Sequence, residues 1–243
     1  LRTIDGVLIS ANHQPGPTEL ALVIAHGFTG SWRRPAVRRA ADVFNRGAGV
    51  ISFDFRGHGR SGGSSTVGDQ EIHDLEAAVA WARELGYKEI VTIGFSMGAS
   101  VVVRHAALVR GVAAAVAVSS PARWYYRGTT PMRRVHWVIE RRLGRLLGRV
   151  ALRTRISGRG WNPVPESPTE VVARIAPTPL LVVHGDADTY FPVEHAYSLF
   201  AAANDPRSIW IEREFGHAEN AATEELLERI ADWIDRAVGI TRP

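Results

Sequence analysis

No cysteine occurs among the 243 residues, and lysine occurs once against 28 arginines. The first absence excludes disulfides, thiolate-held zinc or iron–sulfur centres and a thiol nucleophile. No run reaches the roughly 18 to 20 uncharged apolar residues that span a bilayer, and no basic-then-apolar leader pattern opens the chain. A cytoplasmic location is the expectation from that missing pattern. No cluster of His, Asp and Glu has metal-ligand spacing, so neither a metal nor another cofactor is expected. Nothing in the sequence sets an oligomeric state.

What is present is a globular composition, 45% hydrophobic and 22% charged, at a length that suits one large domain or two small ones. A net charge of +4 and a pI near 9.9 invite a nucleic-acid reading. The positive charge is local, however. Residues 121–176 hold twelve Arg against three Glu, a net of +9, which leaves −5 for the remainder. No recognised binding motif accompanies that charge, so nucleic acid is not an expected partner.

Short apolar, β-branched runs alternate with segments of helical period, as in a parallel sheet wrapped by helices. The expected strands are Leu20 to Ala25, Gly49 to Asp54, Ile90 to Gly94, Ala113 to Ser119, Leu180 to His184 and Ser208 to Glu212. The expected helices are Pro35 to Arg46, Gln70 to Leu85, Met97 to Val109, Val193 to Ala203 and Glu219 to Val238. Thr3 to His13, with Asp5-Gly6 as a turn signal, predicts an antiparallel hairpin at one edge. The rhythm breaks once, after Ser119, where the arginine excess lies. The expected organisation is therefore one α/β core, 1–120 and 177–243, carrying a basic helical insertion, 121–176.

The strongest local signal is Gly94-Phe95-Ser96-Met97-Gly98, between an apolar strand and a helix. A Ser on so sharp a turn needs small neighbours two residues away on each side. The turn lifts the hydroxyl above the sheet edge and leaves the Met97 N–H at a helix N-terminus, ready to face an anion. A hydroxyl near neutral pH is a poor nucleophile without a base and a group to orient that base. Two later loops offer them: His184-Gly-Asp186-Ala-Asp188 and Phe215-Gly-His217. Parallel strands end on one side, so these loops share the edge that carries Ser96. His26, His58 and His184 read as loop braces, and His73 with Asp74 as a surface pair.

With His26-Gly27-Phe28 after the first central strand and Asp54-Phe-Arg-Gly-His-Gly-Arg-Ser61 after the second, the chain resembles the α/β-hydrolase-fold serine hydrolases from about Leu20 to Val238. The resemblance implies a mostly parallel sheet flanked by helices, with a helical cap inserted after the strand at about 113–119. It implies Ser96 as nucleophile, His217 as base, and the backbone N–H groups of Phe28 and Met97 as an oxyanion hole. Both Asp186 and Asp188 fit the orienting role by position, and a His-Gly-x-x-Asp-x-x-Val-Pro likeness selects Asp188, with Phe191 where Val is more usual. The implied activity is hydrolysis of carboxylic esters of short-to-medium acyl chains. Thioester hydrolysis, acyl transfer and a non-catalytic ligand-binding role are the alternatives. Dehalogenase and epoxide-hydrolase chemistry on this fold needs a carboxylate where Ser96 stands.

The insertion resembles a lid. On one helical wheel Val135, Ile139, Leu143, Leu146, Leu147 and Val150 share an arc, with Arg133, Arg134, Arg141 and Arg145 opposite. The expectation is that the apolar arc packs down over the site and the arginines face solvent. The alternatives are contact with anionic lipid or a preference for anionic substrates. Trp124, Tyr125 and Trp137 are the candidate substrate-binding aromatics.

Overall fold

The computed structural model describes residues 1–240 and contains one seven-stranded sheet in the order β1-β3-β2-β4-β5-β6-β7. The strands are β1 (Ala11–Gln14), β2 (Leu20–Ala25), β3 (Gly49–Phe53), β4 (Glu89–Phe95), β5 (Ala114–Val118), β6 (Leu180–Gly185) and β7 (Arg207–Glu212). All pair in parallel except β1, which runs antiparallel along β3 at the edge. The expected hairpin is reduced to a turn at Asp5-Gly6 closed by one bridge, Arg2 to Leu8.

The helices are α1 (Pro35–Phe44), α2 (Glu71–Glu84), α3 (Met97–Leu108), α4 (Thr130–Glu140), α5 (Arg142–Ala151), α6 (Pro168–Val171), α7 (Glu194–Ala202), α8 (Ala218–Ala221) and α9 (Glu224–Val238). Side chains of β2 alternate between the two faces of the sheet, as a period of two requires. Ala21, Val23 and Ala25 join one core with α2, α3 and α7, whereas Leu20, Leu22 and Ile24 join another with α1 and α9. All six are buried, which explains the uninterrupted apolar run.

One expected helix is two. Ala222 is extended, and the Thr223 hydroxyl accepts the Leu226 N–H to start α9 afresh. The His73–Asp74 surface pair is also corrected. Asp74 is fully buried and accepts the Arg56 Nε–H and Nη2–H at 2.9 and 2.8 Å, because the Arg56 guanidinium needs a partner inside the fold.

Between β5 and β6 the chain leaves the sheet to form α4 and α5, then returns through α6 and a 3-10 turn, Val172–Ile175. Its return leg lies against the loop after β3. Single bridges join His58 to Thr154 and Ser65 to Ile156. A Cβ on Gly57, where φ is +74°, would meet the Arg155 carbonyl oxygen at 2.3 Å, so this contact requires glycine. Val171, Val172 and Ile175 are buried in the core that holds α3.

The wheel drawn from Arg133 to Val150 does not survive as one surface. Arg141 is extended (ψ 139°) and breaks the helix between α4 and α5. Val135 and Ile139 stay half-buried on α4, while Leu143, Leu146, Leu147 and Val150 on α5 are exposed.

Candidate active site

The sheet reverses its strand order between β2 and β4, and the loops leaving their C-terminal ends border a crevice there. Ser96 stands at that point, on the turn from β4 into α3, with φ 53° and ψ −117°. That conformation is strained for a non-glycine residue and persists because its surroundings fix it. A Cβ on Gly94 would lie 2.3 Å from the Gly98 oxygen, and one on Gly98 would lie 2.2 Å from the Ala25 oxygen. Both glycines of the motif are therefore steric requirements.

The His217 imidazole joins two ends of the site. Its Nε2 lies 2.9 Å from Ser96 Oγ and its Nδ1 2.8 Å from Asp188 Oδ2. Asp188 is buried, and its other oxygen accepts the N–H groups of Tyr190 and Phe191 at 2.8 and 3.1 Å. Burial pushes this carboxyl up, but the hydrogen bond and charge of His217, with those backbone donors, outweigh it and leave the group below the usual carboxylate range. An ionised Asp188 facing Nδ1 fixes the tautomer in which Nδ1 carries the proton and Nε2 is a free acceptor. Asp186 sits elsewhere: its Oδ1 accepts the Glu214 N–H at 2.7 Å and braces the loop after β7.

The loop after β2 faces Ser96. Two buried histidines hold it from behind. His26 Nδ1 donates to the Gly27 carbonyl and Nε2 accepts the Phe55 N–H, and burial pushes this imidazole down to about 3. His58 Nδ1 donates to the Arg56 carbonyl and Nε2 accepts the Thr29 N–H. Burial lowers His58 as well, so both rings stay neutral. Asp54, fully buried, gathers the Ser31 hydroxyl and the Trp32 and Arg60 N–H groups. The Asp-Phe-Arg-Gly-His-Gly motif thus supports the loop after β2 rather than touching a reacting group.

With the Gly27 N–H taken by Glu219 and the Thr29 N–H by His58, the Phe28 N–H between them has no protein acceptor among the described residues. The Met97 N–H opens α3, where the first donors of a helix have no intrahelical partner. Two free donors thus flank Ser96.

A cavity of about 750 Å³ extends from Ser96 under α4. Trp124 and Tyr125 line it, as do Val135, Val138 and Ile139; Trp137 does not, and its ring is exposed. Arg123, Arg134, Arg145 and Arg159 contribute to its wall. Two residues that sequence reading missed are central. Tyr190 stacks on the His217 ring, centroids 4.3 Å apart, and its nearness to Asp188 was the available signal. Glu219, buried two residues after His217, accepts the Gly27 N–H at 3.2 Å through Oε1, while no described protein donor reaches Oε2. No sequence pattern marks it, since the contact spans 192 positions.

A family model described as serine aminopeptidase, S33, matches residues 16–171. Among solved structures, the esterase Pf2001 of Pyrococcus furiosus superposes with a TM-score of 0.75 at 27% identity, covering 97% of this chain and 90% of that one. The α/β hydrolase GrgF from Penicillium sp. sh18 gives 0.79 at 22% identity, with 99% and 98% covered. A monoacylglycerol lipase from Paleococcus ferrophilus gives 0.69 at 20%, with 94% and 99% covered. The last two show likeness of fold. No curated protein matches the chain.

Proposed function

Because the chain belongs to the serine aminopeptidase S33 family and is an esterase/lipase-like α/β hydrolase, we propose that it hydrolyses carboxylic esters of short-to-medium acyl chains through Ser96, His217 and Asp188. One observation carries the reading: the unbroken hydrogen-bonded relay from Ser96 Oγ through both imidazole nitrogens to a buried carboxylate. Nε2 takes the Ser96 proton as Oγ attacks the acyl carbonyl, and the negative charge on the former carbonyl oxygen is met by the Phe28 and Met97 N–H groups. The imidazolium then gives its proton to the leaving alcohol, which departs and leaves an acyl ester on Ser96. Water, deprotonated by the same nitrogen, attacks that ester and releases the acid. Asp188 stabilises the imidazolium in both halves.

The helical segment of α4 and α5 acts as the lid of this site, and the cavity beneath α4 accepts the acyl chain. A fluorophosphonate is expected to label Ser96, and a series of nitrophenyl esters is expected to peak at short-to-medium acyl length. Absence of an adduct on Ser96 in folded protein defeats the reading, and a preference for long-chain triglycerides defeats its chain-length part. One observation favours a second reading, cleavage of substrates bearing an ammonium group. Glu219 Oε2 borders the cavity without a protein donor, so aminoacyl anilides belong in the same assay.

A further inference from the structure

Amphipathic helices normally seat on their apolar face. α5 does not. It rests on glycine: a Cβ on Gly144 would lie 2.5 Å from the Trp137 carbonyl oxygen, and one on Gly148 would lie 3.2 Å from Ile156 Cδ1. These two are the buried residues of the helix. At about 100° per residue, Gly144 and Gly148 occupy one third of the circumference, Arg142, Arg145 and Arg149 a second, and Leu143, Leu146, Leu147 and Val150 the last. The close seat on α4 therefore turns the apolar third outward. Leu143, Leu146, Leu147 and Val150 are 60%, 56%, 47% and 72% exposed.

Four contiguous large aliphatic side chains left in water are costly unless something covers them. The neighbouring charge indicates what does. Among the described residues Arg142 and Arg149 on α5, and Arg141 at its N-terminus, form no ion pair, and Glu140, the acid of α4, is committed to Arg127 and His136. An aliphatic strip bordered by unpaired guanidinium groups matches the headgroup and acyl layers of an anionic lipid surface, with the strip in the acyl boundary and the arginines at the phosphates.

We infer that α5 docks this protein onto anionic lipid. The leucine strip enters the interface, and Arg145 and Leu152, which line the cavity, belong to the docked helix and its C-cap. Docking needs no turnover, so it stands or falls separately from the ester-hydrolase reading.

The experiment is flotation of the full chain with vesicles of phosphatidylcholine alone and of phosphatidylcholine mixed with phosphatidylglycerol. The expected result is at least about tenfold stronger binding to the mixed vesicles, lost near 0.5 M salt. The double variants Leu143→Ser with Val150→Ser, and Arg142→Gln with Arg149→Gln, are each expected to abolish flotation. Both keep wild-type melting and wild-type turnover of a water-soluble short ester. Absent binding, equal binding to both vesicle types, or unchanged flotation of the leucine variant overturns the inference. So does a solution dimer that Leu143→Ser with Val150→Ser converts to monomer, since the strip is then a contact between copies.

Discussion

Replacing Asp188 with Asn tests the orienting role proposed for its charge, because the hydrogen bonds around it dictate how the amide must sit. Oδ1 accepts two backbone N–H groups, from Tyr190 and Phe191, and only an oxygen can do that. In Asp188→Asn the amide oxygen keeps that place and the NH₂ takes the position of Oδ2, 2.8 Å from His217 Nδ1. A donor now faces Nδ1, so Nδ1 must accept and the imidazole proton moves to Nε2. Nε2–H points at Ser96 Oγ and has no lone pair to take the hydroxyl proton. The loop geometry survives while the base is lost. The expected fall in kcat is about 10⁴, equivalent to ~5.5 kcal/mol in the barrier. Steady-state kinetics on a soluble nitrophenyl ester measures it, with thermal melting as the control for folding. A folded Asp188→Asn enzyme within tenfold of wild-type kcat would refute the assigned relay.

Glu219→Ala leaves the buried Gly27 N–H without an acceptor and loosens the loop that presents the Phe28 N–H. With about 1.5–3 kcal/mol for a hydrogen bond to a charged group, kcat should fall about 10- to 100-fold at little-changed KM, and Glu219→Gln should restore it. Equal activity of the Ala variant and wild type would remove Glu219 from any positioning role. The Arg56 hydrogen bond, followed by those of Thr3 and the Arg56 charge against an opposing burial effect, holds the Asp5 carboxyl at about 2. A lowered acid contributes stability fully above its unfolded value near 4 and loses it as pH falls through about 2. Asp5→Asn should therefore lower the unfolding free energy from urea titration at pH 7, by less than about 1 kcal/mol for so exposed a group, and the difference should close toward pH 2. A difference that persists at pH 2 would contradict the assigned pair.

The elements built on local rules were legible in advance. β2 was placed to the residue because an all-apolar run between turn residues has one solution in a parallel sheet, and Pro35 and Gly98 mark where α1 begins and where α3 must be closely approached. Ser96 and His217 were legible because each follows a recognisable strand, whereas position alone left both Asp186 and Asp188 open after β6. The braces behind them were not. Asp54 and the pair His26 and His58 act on backbone groups about 20 to 30 positions away, and Glu219 on one far more distant, through contacts that no local periodicity encodes. Asp74 looked like surface because a carboxylate in a helix usually is, until Arg56 folded against it.

By itself the sequence determined the α/β order, the sharp serine turn with its two obligatory glycines, and the concentration of arginine in one segment. Those follow from short-range sterics, hydrophobic period and charge. Only the tertiary structure decided which carboxylate reaches His217, which N–H groups are left free beside Ser96, and which way α5 faces. A helical wheel gives no weight to glycine, whereas close packing favours the side that lets two backbones approach. For that reason the leucines of α5 point to solvent and the glycines point to the protein.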